Sequence, residues 1–289
     1  MHSISNDIIS IQVAAKGAEL QSIYHKQHKL EYLWSGDPAI WGKRSPVLFP
    51  IVGELKDKTY IYNGKKYNLS RHGFAREMEF EVTEQTDTSI TFSIHSNEQI
   101  LSIYPFVFAF SVRYTLIENA LEITYTVENK SNETMYFSVG GHPAFKIPLV
   151  DGTAYEDYQL VFNKKETAGR WPISSEGLIE TAPTPLLENE SILSLRKELF
   201  SADAIVFKAL KSTSVTLKSI KTEHGLKVTF QDFPYLGIWE TKGGDFVCIE
   251  PWCGIADSVN ASGKLEEKEG INTLAPKGKF EATFSIEVI

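Results

Sequence analysis

The chain has 289 residues, of which 42% are hydrophobic and 23% are charged, and its formal net charge is −8. This composition is typical of a globular protein with a large core and argues against disorder. Because the charge is negative, we expect neither a nucleic-acid partner nor an anionic-membrane partner.

The sequence carries no targeting signal that we recognise. No stretch approaches the roughly 18 apolar residues that a membrane-spanning helix needs. The first residues, MHSISNDIISIQV, lack the basic start and long apolar run of a signal peptide. The two cysteines, Cys248 and Cys253, allow at most one disulfide and demand no oxidising compartment. We therefore expect a cytoplasmic protein, and the sequence does not fix its oligomeric state.

The first clear structural signal is a β-hairpin over residues 60–67. Two short aromatic runs flank Asn63 and Gly64 there. Both of these residues tolerate the positive φ of a type I′ turn, so the pair predicts a two-residue hairpin loop.

Five later segments alternate apolar residues with other residues at period two. The alternating positions are Ile90, Phe92 and Ile94; Phe106, Phe108, Phe110, Val112 and Tyr114; Leu121, Ile123, Tyr125 and Val127; Leu226, Val228 and Phe230; and Phe280, Ala282, Phe284, Ile286 and Val288. This alternation predicts antiparallel strands that bury one face.

Helical signals are scarce. Residues 97–102 and 191–199 each predict one helical turn, the first ending before Pro105. Residues 168–190 carry three prolines and little patterning, and we interpret them as a long surface connection. Since the strands do not alternate with long helices, a doubly wound α/β fold is disfavoured. We expect an all-β fold in a single domain over residues 1–289.

Three segments place an ionisable residue beside Gly or Pro at the end of a strand-like run. They are residues 71–76 (RHGFAR), 140–145 (GGHPAF) and 246–254 (FVCIEPWCG). Such places expose side chains on a rigid scaffold, which is where functional sites concentrate.

The ionisable residues of these segments differ in how strongly they indicate a site. A single histidine beside glycine, such as His142, is more often a turn residue than a catalyst. Glu250 follows a buried apolar run and precedes Pro251, and a carboxylate there must be paired, protonated or functional. Cys248 and Cys253 lack a second Cys/His pair at zinc-finger spacing, so we interpret them as small buried side chains. Phosphate-loop and serine-hydrolase motifs are absent.

Eight short motifs occur along the chain in an order specific to one family. They are PVLFPIVG (46–53), RHGFAR (71–76), YPF (104–106), GGHPAF (140–145), DAIV (203–206), PYLGIW (234–239), EPWCG (250–254) and KEG (268–270). On these motifs the chain resembles the galactose mutarotase (aldose 1-epimerase) family over nearly its whole length, most closely the LacX-like branch. The resemblance implies a β-supersandwich of antiparallel sheets with a sugar site in an open cleft.

The resemblance also implies roles for five residues. His142 matches the general acid and Glu250 the general base, while His72 matches a second histidine that contacts the sugar. Asp203 matches a sugar-binding aspartate more loosely, and Arg76 is a further sugar contact. No cofactor and no metal is needed, because anomer interconversion oxidises nothing and transfers no group between molecules.

The chain departs from the family pattern in one respect. Typical mutarotases carry a sugar-binding arginine before the first histidine, where this chain offers Glu54 and Lys56. Arg71 and Arg76 are the candidates to replace it. In an extended strand, Arg71 and His72 would point to opposite faces, whereas Arg76 would share the face of His72. We therefore expect only Arg76 in the site, and no phosphate pocket.

The implied chemistry sets two geometric and electrostatic expectations. A base and an acid that serve the C1 hydroxyl and the ring oxygen of one sugar should lie about 4–7 Å apart. A carboxylate near the histidine would raise the histidine pKa.

Three functions stay open at this point. The first is an aldose 1-epimerase that acts on a free hexose such as galactose or glucose. The second is a hexose-6-phosphate 1-epimerase, which needs cationic side chains at the phosphate. The third is a sugar-binding protein that keeps the fold without turnover. The acid–base pair argues against the third, because a pure binder has no need of it.

Overall fold

The computed structural model describes all residues from Met1 to Ile289 and contains 23 strands and one short α-helix. The strands are β1 (His2–Ser5), β2 (Ile9–Val13), β3 (Leu20–His25), β4 (Leu30–Glu31), β5 (Val47–Leu48), β6 (Thr59–Tyr62), β7 (Lys65–Asn68), β8 (Glu81–Gln85), β9 (Ser89–His95), β10 (Phe108–Ile117), β11 (Ala120–Asn129), β12 (Met135–Phe137), β13 (Val139–Gly141), β14 (Ala144–Lys146), β15 (Tyr158–Arg170), β16 (Thr184–Ser194), β17 (Ile205–Lys208), β18 (Ser214–Ser219), β19 (Gly225–Thr229), β20 (Tyr235–Trp239), β21 (Phe246–Cys253), β22 (Asn272–Leu274) and β23 (Lys279–Val288).

The helical elements are short. The α-helix α1 spans Glu98–Ile103, and Asn97 caps it by accepting a hydrogen bond from the Ile100 N–H. The 3₁₀ turns are Lys56–Lys58, Ala75–Glu77, Tyr155–Asp157, Lys197–Phe200 and Leu265–Glu267. None of these helices has the length and apolar character needed to cross a membrane.

A nine-stranded antiparallel sheet forms the larger layer. Its strand order is β16-β15-β18-β19-β23-β11-β10-β9-β8. Along β10 and β11 the alternate residues predicted to be apolar are buried, and Phe110 pairs with Val127 in the register. The period-two pattern therefore fills one face of this sheet, as expected for a half-buried antiparallel sheet.

A six-stranded sheet packs against that layer and holds the candidate site. Its order is β17-β20-β21-β13-β5, with β14 also paired to β21. Alternate residues of β21 face opposite ways. Val247 and Ile249 join the main core of 66 buried residues, whereas Cys248 and Trp252 join small clusters on the other face. The main core therefore covers one face of this sheet, and the other face is left for a cleft.

The structure confirms most of the predicted elements. The hairpin is β6 and β7, with φ of 49° at Asn63 and 74° at Gly64. A four-stranded sheet of β1 to β4 and the pair β12–β22 complete the fold.

Two predictions for the second half of the chain are wrong. Residues 191–199 are not a helical turn in their first half, because β16 runs to Ser194 and only Lys197–Phe200 is a 3₁₀ turn. Residues 168–190 are not wholly a surface connection, since β15 ends at Arg170 and β16 starts at Thr184. β16 is the edge strand of the nine-stranded sheet and β15 is its neighbour; many side chains of β16 are exposed and its apolar alternation is weak.

Candidate active site

Strand pairing brings His142 and Glu250 together across 108 residues of sequence. Gly140 pairs with Trp252, and Ala144 pairs with Cys248. In an antiparallel register this sets His142 opposite Glu250. Nε2 of His142 lies 3.3 Å from Oε2 of Glu250. The separation is shorter than the expected range of about 4–7 Å, because directly opposed residues have Cβ atoms only about 4.5–5.5 Å apart.

The neighbouring strand β20 makes room for this pair. Gly237 pairs with Glu250, and a Cβ atom at Gly237 would overlap the indole ring of Trp252. The absence of a side chain therefore lets Trp252 lie flat beside Glu250 on the cleft face. The Trp252 indole N–H and Oε2 of Glu250 are both buried without a hydrogen-bond partner.

A cleft of about 350 Å³ opens over the pair. Its size suits a small molecule. It is lined by 17 residues: Trp41, Gly53, Arg71, His72, Arg76, His142, Ile173, Gly177, Ile179, Asp203, Ala204, Val206, Trp239, Thr241, Glu250, Trp252 and Ala256. All five residues named from the family resemblance are in this set, so they line one cleft. Their chemical roles stay proposals.

A tight turn presents His72 to the cleft. His72 has φ of 66° and Gly73 has φ of 73°, so the chain reverses there. The Gly53 N–H donates to Nδ1 of His72 over 3.1 Å. Because Nδ1 accepts this bond, the neutral ring carries its proton on Nε2. Burial, followed by the charge of His142, lowers the pKa of His72 well below 6.5 and favours that neutral ring.

Both arginines of the RHGFAR motif line the cleft, so the expectation that only Arg76 would do so is wrong. The expectation assumed an extended segment, and the two positive φ values at His72 and Gly73 break that geometry. Nη2 of Arg76 donates to the Arg71 carbonyl over 2.9 Å, and its Nε is buried without a partner. Nε of Arg71 lies 3.8 Å from Oε2 of Glu54.

Asp203 lines the cleft from a strained turn just before β17. Its φ is 67°, and its own Oδ1 accepts from the Ala204 N–H over 2.6 Å. Arg170 holds the turn by donating to the Asp203 carbonyl over 2.6 Å. The Asp203 carboxylate is close enough to raise the pKa of Glu250, so it contributes negative charge beside that group.

Burial dominates the protonation of the opposed pair. It raises the pKa of Glu250 well above 4.5, an effect that the adjacent Trp252 indole partly opposes. It lowers the pKa of His142 to about 3, and the charges of Arg76 and Arg71 act in the same direction. The expected rise in the histidine pKa is therefore not seen. Desolvation penalises the imidazolium more than the nearby carboxyl group favours it.

Two tryptophans pack against the ring of His142. Trp41 stacks on its ring with centroids 5.1 Å apart and planes 27° apart. Trp239 meets the same ring edge-on at 5.5 Å. Trp239 lies in the PYLGIW motif, whereas Trp41 lies in a Gly- and Pro-containing segment with no strand pattern, so no local signal indicates it.

The 168–190 segment also supplies missed cleft residues. Ile173, Gly177 and Ile179 line the cleft from the loop between β15 and β16. Ile179 pairs with Ser258 in an isolated bridge and is buried. Its burial depends on a contact 79 residues away, so no local pattern in the sequence indicates it.

Comparison with known proteins assigns the chain to a family. A family profile described as aldose 1-epimerase matches residues 1–287. The chain belongs to the aldose 1-epimerase family. The plasmid protein LacX of Lactococcus lactis subsp. lactis is a curated relative, and it is 38% identical to this chain over 295 aligned positions. That alignment covers 99% of this chain and 98% of LacX.

Solved structures of relatives confirm the galactose-mutarotase-like β-supersandwich. A galactose mutarotase related enzyme from Lactobacillus acidophilus is 40% identical to this chain, and the TM-score is 0.95. The match covers 100% of this chain and 97% of that chain. A galactose mutarotase-like protein from Lactobacillus casei is 30% identical, with a TM-score of 0.94 over 100% of both chains.

Proposed function

We propose that this family member is an aldose 1-epimerase that interconverts the α and β anomers of a free hexose such as galactose or glucose. The observation that carries the proposal is the buried pair of His142 and Glu250, opposed at 3.3 Å in the cleft. An acid and a base in contact are what ring opening requires, because two protons must move on one sugar.

The reacting form of the pair has Glu250 ionised and His142 protonated. Burial favours the neutral pair in the empty cleft, so sugar hydroxyls bound at Glu250 are proposed to stabilise the charged form. Glu250 accepts the proton of the C1 hydroxyl while Nε2 of His142 donates a proton to the ring oxygen. The C1–O5 bond breaks and leaves the open-chain aldehyde. Rotation about the C1–C2 bond presents the other carbonyl face, and the two transfers then run in reverse to close the ring.

The electrostatics of the cleft support this direction of proton transfer. Ring opening converts a charged pair into a neutral carboxylic acid and a neutral imidazole. The raised pKa of Glu250 and the lowered pKa of His142 both favour that neutral state. Burial therefore drives proton transfer from the charged pair to the sugar, and by the same desolvation it makes that charged pair costly to form before each turnover.

Three other residues are proposed to hold the sugar. Nε2–H of His72 and the unpaired Nε–H of Arg76 are donors for sugar oxygens. The carboxylate of Asp203 is an acceptor for sugar hydroxyls. Each partner is a polar group on the cleft wall whose contact with hydroxyls would orient the ring over the acid–base pair.

The charge balance of the cleft favours a neutral sugar over a phosphorylated one. Arg71 is matched by Glu54 at 3.8 Å, and the carboxylate of Asp203 lines the same cleft as Arg76. A phosphate pocket needs uncompensated cationic groups. The presence of Arg71 in the cleft nonetheless keeps the hexose 6-phosphate as the second candidate substrate.

Polarimetry of freshly dissolved α-D-galactose, α-D-glucose and their 6-phosphates tests the proposal. We expect the wild-type protein to accelerate mutarotation of a free sugar, and Glu250→Gln to keep at most about 1% of that acceleration. Acceleration of the phosphates alone, with binding that weakens steeply in salt, would establish the second candidate. Binding without acceleration of any sugar would show a sugar-binding protein.

Two broader expectations also stay proposals. A cytoplasmic location is supported by two cysteines that are buried and unpaired. A single domain over residues 1–289 is supported by one core that contains residues from Ile4 to Val288. One unfolding transition, seen alike by tryptophan fluorescence and circular dichroism, is the expected result for a single domain.

A further inference from the structure

Cys248 places a thiol beside the opposed pair. It precedes Glu250 by two residues on β21, so both side chains project from the same face. The potential ligand atoms of His142, Cys248 and Glu250 all lie within 4.8 Å of one another, and all three residues are buried. Imidazole nitrogen, thiolate sulfur and carboxylate oxygen together form a donor set that zinc prefers.

The spacing is close to that of a tetrahedral site. With Zn–S near 2.3 Å and Zn–N near 2.0–2.1 Å, donor atoms on one zinc ion are separated by about 3.3–3.8 Å. Side-chain shifts of about 1 Å would therefore bring donors that lie within 4.8 Å into coordination. The cleft gives an ion access, since His142 and Glu250 both line it.

An independent observation also indicates a missing partner. Oε2 of Glu250 is buried, and although Nε2 of His142 lies 3.3 Å away and the Trp252 indole is adjacent, it accepts no well-aligned hydrogen bond. Buried carboxylate oxygens without a partner are rare and costly, because desolvation is then uncompensated. A metal ion held between Glu250 and Cys248 would satisfy this oxygen.

We propose that His142, Cys248 and Glu250 form an inhibitory site for a thiophilic divalent cation, with Zn²⁺ as the probe. Binding displaces the thiol proton of Cys248 to solvent and leaves the fourth position to water from the cleft. The ion occupies the acid and the base together, so a bound sugar meets neither. Inhibition rests on the proposed epimerase function, whereas metal binding does not.

Cys253 provides a matched control on the same strand. Its side chain faces the main core rather than the cleft, and its Sγ donates to the Asp232 carbonyl over 3.3 Å. It has the same thiol chemistry and similar burial, but no histidine or glutamate ligand.

Cobalt binding tests the site without reference to activity. We expect one equivalent of Co²⁺ to produce a thiolate-to-cobalt charge-transfer band in the wild-type protein and in Cys253→Ala, but not in Cys248→Ala. No band in the wild type, or a band that survives in Cys248→Ala, overturns the proposal. The wild-type spectrum and the Cys253→Ala spectrum remain decisive if Cys248→Ala fails to fold, since a band lost in Cys253→Ala assigns the thiolate to the wrong residue.

Inhibition is measured by polarimetry with increasing Zn²⁺, followed by a chelator. We expect Zn²⁺ to stop wild-type turnover reversibly, and Mg²⁺ to have no effect at the same concentration. Measured against its own zinc-free rate, Cys248→Ala should need at least about tenfold more Zn²⁺ for half-inhibition, since it loses one ligand of three. Cys253→Ala should match the wild type, and equal sensitivity of both variants overturns the proposal. A protein that binds Co²⁺ through Cys248 but turns over no sugar would contradict the proposed function alone.

Discussion

The guanidinium of Arg71 crosses directly over Gly177, so that a Cβ atom at position 177 would overlap Nη2 of Arg71. This contact joins the RHGFAR turn to the loop between β15 and β16. The loop therefore helps to fix where one cationic group of the cleft wall lies.

Substitution of Gly177 should separate backbone strain from the position of Arg71. Gly177 has φ of +82° and Gly152 has φ of +81°, but nothing lies within 4 Å of a Cβ atom at Gly152. Both Gly→Ala changes should cost about 1–2 kcal/mol of unfolding free energy from the left-handed backbone. Only Gly177→Ala should also displace the Arg71 guanidinium, and because Arg71 lines the cleft we expect KM for the sugar to rise by about 3–30-fold. Equal KM values for the two variants would show that Arg71 has no part in sugar binding.

Glu250→Gln should lower activity without lowering stability. The change removes the proposed base and should reduce kcat by about 10²–10⁴-fold. Burial raises the pKa of Glu250 above 4.5 in the folded protein. Above pH 4.5, Glu250 therefore loses its proton more readily in the unfolded chain than in the folded protein, and this lowers the stability of the wild-type fold. The variant should therefore be at least as stable as the wild type at pH 7, and any gain should vanish below about pH 4.5. Glu166→Gln is the control, because Glu166 is equally buried but accepts from the Lys211 and Ser212 N–H groups outside the cleft.

His142 should make the protein sensitive to acid. Its pKa falls from 6.5 to about 3 on folding, so between these values the unfolded chain binds a proton that the folded protein does not. The fold therefore loses stability as the pH falls through this window, by up to about 1.4 kcal/mol per pH unit. His142→Asn should flatten the dependence of unfolding free energy on pH between about 6.5 and 3.

The unfolding free energies with and without His142 are best compared in the Glu250→Gln background. Folding raises the pKa of Glu250, which is opposite to its effect on His142. Urea unfolding at each pH gives the free energies. His95→Asn, at an exposed position on β9, is the matched control substitution. Parallel profiles with and without His142 would contradict the buried, neutral state of its imidazole.

Lys268 and Asp257 form a second buried pair whose loss should destabilise the fold. Nζ of Lys268 lies 2.8 Å from Oδ1 of Asp257 and also donates to the Ile255 carbonyl over 2.6 Å. Lys268→Met leaves a buried carboxylate unpaired and should cost about 3–5 kcal/mol, measured by urea unfolding. The double variant Lys268→Met/Asp257→Leu should recover much of this loss. Lys264→Met, which breaks an exposed pair, should change little.

The fold was predictable wherever one face of a strand is buried. Buried and exposed side chains alternate along β9, β10, β11 and β23, because the core covers one side of the nine-stranded sheet. The hairpin was predicted from its turn residues, Asn63 and Gly64. β16 was missed because it is an edge strand with exposed residues on both faces, so its pattern carries little information about burial.

The site was predictable only in its motif residues. His142 and Glu250 sit at strand ends with distinctive neighbours, but the register that opposes them is a long-range property. The position of Arg71 depends on the positive φ values of His72 and Gly73. The sequence did not reveal them, since residues other than glycine seldom have positive φ. Trp41, Ile173 and Ile179 reach the cleft through tertiary contacts without local periodicity.

The pairing of β14 and β21 also bears on how such a protein can diverge. One inserted residue between Cys248 and Glu250 would turn Glu250 toward the core and bring an apolar neighbour to the cleft, because side chains alternate along a strand. Insertions and deletions should therefore be purged from β20, β21 and the 140–144 segment. The loop over residues 171–183 lies outside the long strands and yet lines the cleft, so changes in its length leave the strand register intact. Related proteins would then be expected to change their preferred sugar through changes in that loop, while His142 and Glu250 stay the same.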